Sequence, residues 1–194
     1  MRDMRAFFTE IDRYAQADEA TRKTMEADIW QRYGVMRAVL ALDMCHFSLS
    51  VRRDGVLSYL CRIRRMHAIT EPVVIGHGGE VVKYEADNLL AAFADARQAL
   101  KAAVAMRELM MNDSAAQPVS IGLGYGRILL IPHSDAHGDA VNTAFKLGED
   151  VAEAGEILVS SAFAEALGTP QGYELEPQQI TIAGLHLDAF RVHA

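Results

Sequence analysis

The chain has 194 residues, of which 51% are hydrophobic and 23% charged, enough for one domain with a real core and a short appendage. A formal net charge of −7 argues against nucleic acid as a general partner, because phosphate binding wants a basic face. Cys45 and Cys61 supply neither a disulfide framework nor metal-ligand spacing. Residues 1–34 read as an N-terminal helical extension, with Phe7, Phe8, Ile11, Tyr14 and Ala15 at helical spacing and Met25, Ile29 and Trp30 repeating it. Arg2, Asp3, Arg5, Glu10, Asp12 and Arg13 leave no room for a signal-peptide h-region, and no stretch approaches the ~20 apolar residues that cross a bilayer. The expectation is a cytoplasmic protein without a membrane or nucleic-acid partner.

Residues 35–194 read as one domain. Val35–Asp43 is a buried strand, and Gly55–Ile69 an amphipathic helix with Leu57, Leu60, Ile63 and Ile69 inward. Pro72 would by rule end or kink that helix. Gly76-His77-Gly78-Gly79 is a terminator and turn, followed by a hairpin of Glu80–Glu85 and Asn88–Phe93 and a helix over Ala94–Met111. Past the loop Asn112–Pro118, strands are predicted at Val119–Gly124 and Arg127–Ile131, and a helix over Ala140–Ala152. A short strand (Ile157–Ser160), a short helix (Ala162–Leu167) and two strands near Gln179–Ile182 and Asp188–Val192 complete the chain. The alternation points to an α+β fold, one sheet covered by helices.

A polar set stands out on these apolar elements. Asp43 ends the run Ala38–Leu42, Lys83 and Asp87 sit four apart at a strand and turn, and Asp135, Asn142 and Lys146 follow in a loop and the first turns of a helix. Two isolated acidic residues at strand ends suit Mg²⁺, a hard cation that prefers oxygen ligands. That pattern hints at a metal–nucleotide site and goes no further.

Five segments resemble the class III adenylate/guanylate cyclase catalytic domain, in that family's order. They are Leu42-Asp43-Met44-Cys45-His46-Phe47-Ser48, Gly78-Gly79-Glu80-Val81-Val82-Lys83-Tyr84-Glu85-Ala86-Asp87, Ile121-Gly122-Leu123-Gly124-Tyr125-Gly126, Gly138-Asp139-Ala140-Val141-Asn142-Thr143-Ala144 and Gly155-Glu156-Ile157-Leu158-Val159-Ser160. The resemblance spans about Ala38 to Val192 and implies a ferredoxin-like βαββαβ core sheet with helices packed on it. It also implies that the helix before Gly76 continues through Pro72 to about Ile75.

By the same resemblance, Asp43 and Asp87 hold two Mg²⁺ or Mn²⁺ ions per site, and Met44 adds a backbone carbonyl. The amides of His46 to Ser48 face phosphate, so Phe47 and Ser48 belong to the substrate site. Lys83 and Asp135 stand where family members read the purine: lysine donates to adenine N1 and aspartate accepts from the N6 amine. Guanine presents the opposite pattern, so ATP is the expected substrate and 3′,5′-cyclic AMP with pyrophosphate the expected products. Asn142 matches the residue that orients the ribose. One helical turn on, Lys146 stands where the family has arginine, and its planar fork is missing. His46, Ala86 and Ala183 are further departures. Lys146 and Ala183 leave open a second reading, a nucleotide-binding regulatory module with weak or no catalysis. In this family the site lies between two subunits, so one chain carrying both halves implies a homodimer.

Overall fold

The computed structural model describes residues 4–45, 52–169, 171–182 and 185–193. Two helices, α1 (Met4–Gln16) and α2 (Glu19–Tyr33), lead into strand β1 (Gly34–Met44). Helix α3 (Val56–Gly76) precedes the hairpin β2 (Gly79–Glu85) and β3 (Asn88–Phe93), and helix α4 (Ala96–Asn112) follows it. Next come β4 (Val119–Ile131), β5 (Asp135–His137) and α5 (Asp139–Phe145), which runs on as a π-helical turn over Lys146–Val151. Strand β6 (Ile157–Ser160), helix α6 (Ser161–Leu167) and strands β7 (Glu174–Ile182) and β8 (Leu185–His193) close the chain. Among the described residues no helix is long and apolar enough to cross a membrane.

The strands form one sheet in the order β2-β3-β1-β4-β6-β8-β7, with β5 paired to β4 off this path. Its β2-β3-β1-β4 half is antiparallel throughout and is the predicted βαββαβ core. β1 is central and covered on both faces, which is why Ala38–Leu42 reads as an unbroken apolar run. Ala38, Leu40, Leu42 and Met44 point into the core beneath α3 and α4, while Val39 and Ala41 face α5. On that second face, β4 carries glycine at alternate positions. A Cβ on Gly122 would lie 2.0 Å from the Ala144 carbonyl oxygen, and one on Gly124 2.3 Å from that of Ala140. Their absence lets α5 lie directly on the strand, with Asn142 and Lys146 at the sheet end.

Several sequence expectations need correction. The N-terminal region is helical, as expected, in two helices, the second capped by Asp18, which accepts from Thr21 N–H at 2.8 Å. The α3 stripe is rotated. Tyr59, Ile63, Met66, Thr70 and Val74 are buried, whereas Leu57 is 75% exposed and Leu60 47%. Ile63 was placed correctly and Ile69 is partly buried; docking on the sheet, rather than leucine content, chose the helix phase. α3 passes through Pro72, as the family likeness implied. Ala68 and Pro72 are both exposed, so the carbonyl that loses its donor faces water. The two strands expected at Val119–Gly124 and Arg127–Ile131 are one, since Tyr125 and Gly126 stay in register with Ala38 and Arg37 of β1. The helix expected over Ala140–Ala152 changes to π geometry at Lys146.

Candidate active site

Asp43 is the next-to-last residue of β1, in register with Asn88 on one side and Ser120 on the other. Asp87 sits in the two-residue turn between Glu85 and Asn88. The turn holds Ala86 at φ 51°, a left-handed conformation that costs a residue with a Cβ and that fixes Asp87 at the same sheet end as Asp43. Burial, then the charges of Asp87 and Glu149, push the Asp43 carboxyl up to about 7. Asp87 is likewise raised, by burial. Glu149 is raised by burial, by its neighbour Asp150, and by Asp87 and Glu85. Buried Tyr59 reports the same negative field: burial, then Asp87 and Asp43, push its phenol up to about 12.

This is an environment that asks for positive charge. A divalent cation between Asp43 and Asp87 would offset the burial that raises both carboxyls and the repulsion that adds to it at Asp43. Among the described residues no three His, Cys, Asp or Glu side chains converge into a closed cage, so backbone or phosphate oxygens would complete the coordination. Met44 is buried at the strand end opposite Val119. The next residue is also tied down: Cys45 N–H donates to the Pro118 carbonyl at 2.9 Å, and its carbonyl accepts from Gln117 Nε2 at 2.7 Å. His46, Phe47 and Ser48, expected to face phosphate, lie outside the described residues, as does Ala183.

The burial of Asp43 beside other carboxylates has a measurable consequence. In the folded chain Asp43 titrates at about 7, above its ordinary 3.8, so the folded state holds that proton more tightly. Its contribution to stability is present in full below about 3.8 and is lost as pH rises through about 7. In metal-free buffer the melting temperature should fall across that window. Asp43→Asn should flatten the fall, and Mg²⁺ added at pH 8 should reverse it in the wild type. A melting temperature insensitive to both would contradict the charge assignment.

Lys83 and Asp135, 52 positions apart in the chain, meet. A register shift between Val81 and Lys83 bulges β2 and re-aims the side chains, burying Val82 and turning Lys83 toward β5. Lys83 Nζ lies 3.1 Å from Asp135 Oδ1 and 2.9 Å from Glu85 Oε2. Burial pulls this ammonium down, but the hydrogen bonds and charges of Glu85 and Asp135 outweigh it and hold Lys83 above its ordinary value. Asp135 Oδ1 also accepts from Ala136 N–H at 2.9 Å, which fixes the carboxylate against the strand.

Asn142 is exposed on α5, and the Lys146 backbone N–H donates to its carbonyl, so the two residues stack one turn apart. The π-helical turn that starts at Lys146 carries Glu149, a residue the sequence reading missed. Asn88 Nδ2 donates to Glu149 Oε1 at 2.6 Å, tying the hairpin beside Asp87 to this turn. The spacing 142, 146, 149 was the available signal. A cleft of about 250 Å³ lined by Lys83, Glu85, Asn88, Leu90, Phe145 and Glu149 opens between the lysine and the carboxylates.

No family model matches the chain. A Rhizobium meliloti protein provisionally named adenylate cyclase 3 is 29% identical over 136 residues, 67% of this chain and 23% of that protein. The adenylate cyclase of Streptomyces coelicolor is 26% identical over 165 residues, 85% of this chain and 43% of that protein. The chain therefore spans less than half the length of these curated relatives. Among solved structures, the adenylate/guanylate cyclase/hydrolase of Silicibacter pomeroyi superposes with a TM-score of 0.70 at 25% identity, over 81% of this chain and 96% of that one. Other similar structures include both guanylyl and adenylyl cyclases, so the fold alone does not choose a base. Motif order, sequence relatives and fold agree in their likeness to class III adenylate/guanylate cyclase catalytic domains.

Proposed function

We propose that the chain is an adenylate cyclase, converting ATP to 3′,5′-cyclic AMP and pyrophosphate at a site shared between two copies. The observation that carries the reading is the Lys83–Asp135 pair, a donor and an acceptor 3.1 Å apart, the complement of adenine's N1 and N6 edge. Asp43 and Asp87 would hold Mg²⁺ or Mn²⁺. When bound, such ions supply positive charge to the triphosphate and to the attacking and leaving oxygens. In the reaction the ribose 3′-oxygen bonds to the α-phosphorus, its proton leaves, and the bond to the pyrophosphate oxygen breaks. Asn142 would orient the ribose and Lys146 would neutralise charge that builds on the α-phosphate. The cleft beside Lys83, at about 250 Å³, falls below the roughly 300–1,000 Å³ of ordinary small-molecule sites. That supports a site completed by a second subunit. Incubating purified protein with Mn²⁺ and ATP, then assaying cyclic AMP, tests the reading. ATP binding without cyclic AMP would select the regulatory module, which Lys146 favours because an ammonium lacks the bidentate fork of arginine.

Base selection has its own test. The double change Lys83→Glu with Asp135→Cys should reverse the hydrogen-bond pattern and move preference from ATP towards GTP by about 10²-fold in relative kcat/KM. A variant that kept the wild-type preference would show that the purine is read elsewhere.

A further inference from the structure

β5 is three residues long and pairs only with the end of β4, through Leu129–His137, Leu130–Ala136 and Ile131–Asp135. So short a strand is marginal without packing. Its two faces are covered differently. Ala136 points into the core shared with α5, while Asp135 and His137, two apart, lie on the opposite face. There the base-reading Asp135 meets Lys83, and His137 meets the N-terminal extension. The Phe7 ring stacks on the His137 ring at 5.6 Å and 8°, and Phe8 approaches it edge-on at 6.2 Å. Phe7 is itself 3% exposed, wedged edge-to-face against Tyr33 at 5.0 Å and packed in a cluster with Ile29 and Ile131, the strand partner of Asp135. His137 Nε2 is closed off from solvent and lies 3.9 Å from Asp135 Oδ2. α2 is anchored alongside, with the Arg127 guanidinium 4.6 Å over the Trp30 ring.

We infer that the α1–α2 hairpin is a positioning element for base recognition: Phe7, through its stack on His137, holds β5 so that Asp135 stays against Lys83. The inference rests on the proposed role of Lys83 and Asp135 as the purine readers. Release of α1 would uncover the ring face of His137 on which Phe7 stacks. It would loosen the acceptor and leave the metal-side carboxylates untouched, so the effect falls on base selection and KM rather than on kcat.

Phe7→Leu keeps the apolar volume but removes the ring, and His137→Ala removes the other partner from a half-exposed position. Both variants, made in the whole chain, are compared with the wild type by amide hydrogen exchange and by ATP and GTP titration with Mn²⁺. The expected result in each is faster exchange across residues 135–137 with β1 unchanged. The ATP-over-GTP affinity ratio should also fall about 10-fold. Unchanged exchange at residues 135–137 in both variants overturns the inference, as does an unchanged ratio in a protein that discriminates. If the wild type binds neither nucleotide, the proposed function fails, and the exchange result alone still decides whether α1 holds β5.

Discussion

Asp87→Ala and Asp43→Ala are each expected to abolish cyclic AMP formation, lowering kcat by about 10³-fold or more while the fold survives. Removing one carboxylate from a two-metal site takes away several kcal/mol of charge stabilisation, and about 4 kcal/mol is already a thousandfold in rate. The fold should survive because these carboxylates work against it when no cation is present. Asp43 is pushed up to about 7 by burial and by Asp87, so its loss removes an unfavourable charge rather than a supporting one. The expected pattern is therefore opposed: activity collapses, while the melting temperature in metal-free buffer at pH 8 holds steady or rises. Circular dichroism melts and a cyclic AMP assay with Mn²⁺ read the two quantities separately. Wild-type turnover in Asp87→Ala would remove the metal assignment, and a variant that merely unfolds would show that Asp87 supports the hairpin turn instead.

Mixing two inactive chains, Asp43→Ala and Asn142→Ala, should restore activity to about a quarter of the wild-type level. In a twofold dimer one subunit would supply the carboxylates and the other Asn142. Random exchange makes about half the dimers mixed, and each mixed dimer holds one site with both lesions and one with neither. The exposed Asn142 side chain and the open cleft beside Lys83 support a site finished by another surface. Subunit exchange can be verified with two affinity tags. Chains that exchange yet stay inactive would place the whole site within one subunit.

Much of this molecule is written locally. The β2–β3 hairpin is set by its own glycines and its alternation, so its strands were legible to within a residue. β1 announced itself as a buried strand through its apolar run, and the structure put it at the centre of the sheet. The glycines at 122 and 124 are where α5 presses on the sheet, a role that only the structure revealed. Asp43, Asp87, Lys83, Asp135, Asn142 and Lys146 were each nominated from sequence because motif spacing picks out positions one at a time.

Contacts between distant segments were not legible, since nothing within a window of the chain encodes them. The sequence placed Leu57 and Leu60 inward by composition, but a helix phase is chosen by the surface it docks on, and the sheet selected Tyr59, Ile63 and Met66. Glu149 looks like an ordinary surface acid until the π-helical turn and Asn88 bring it beside Asp43 and Asp87. The sequence by itself determined the fold and nominated Asp43, Asp87, Lys83 and Asp135 as the polar groups it presents. Tertiary packing decided how those groups act on one another, because desolvation and charge repulsion depend on distances in space that the chain order does not set.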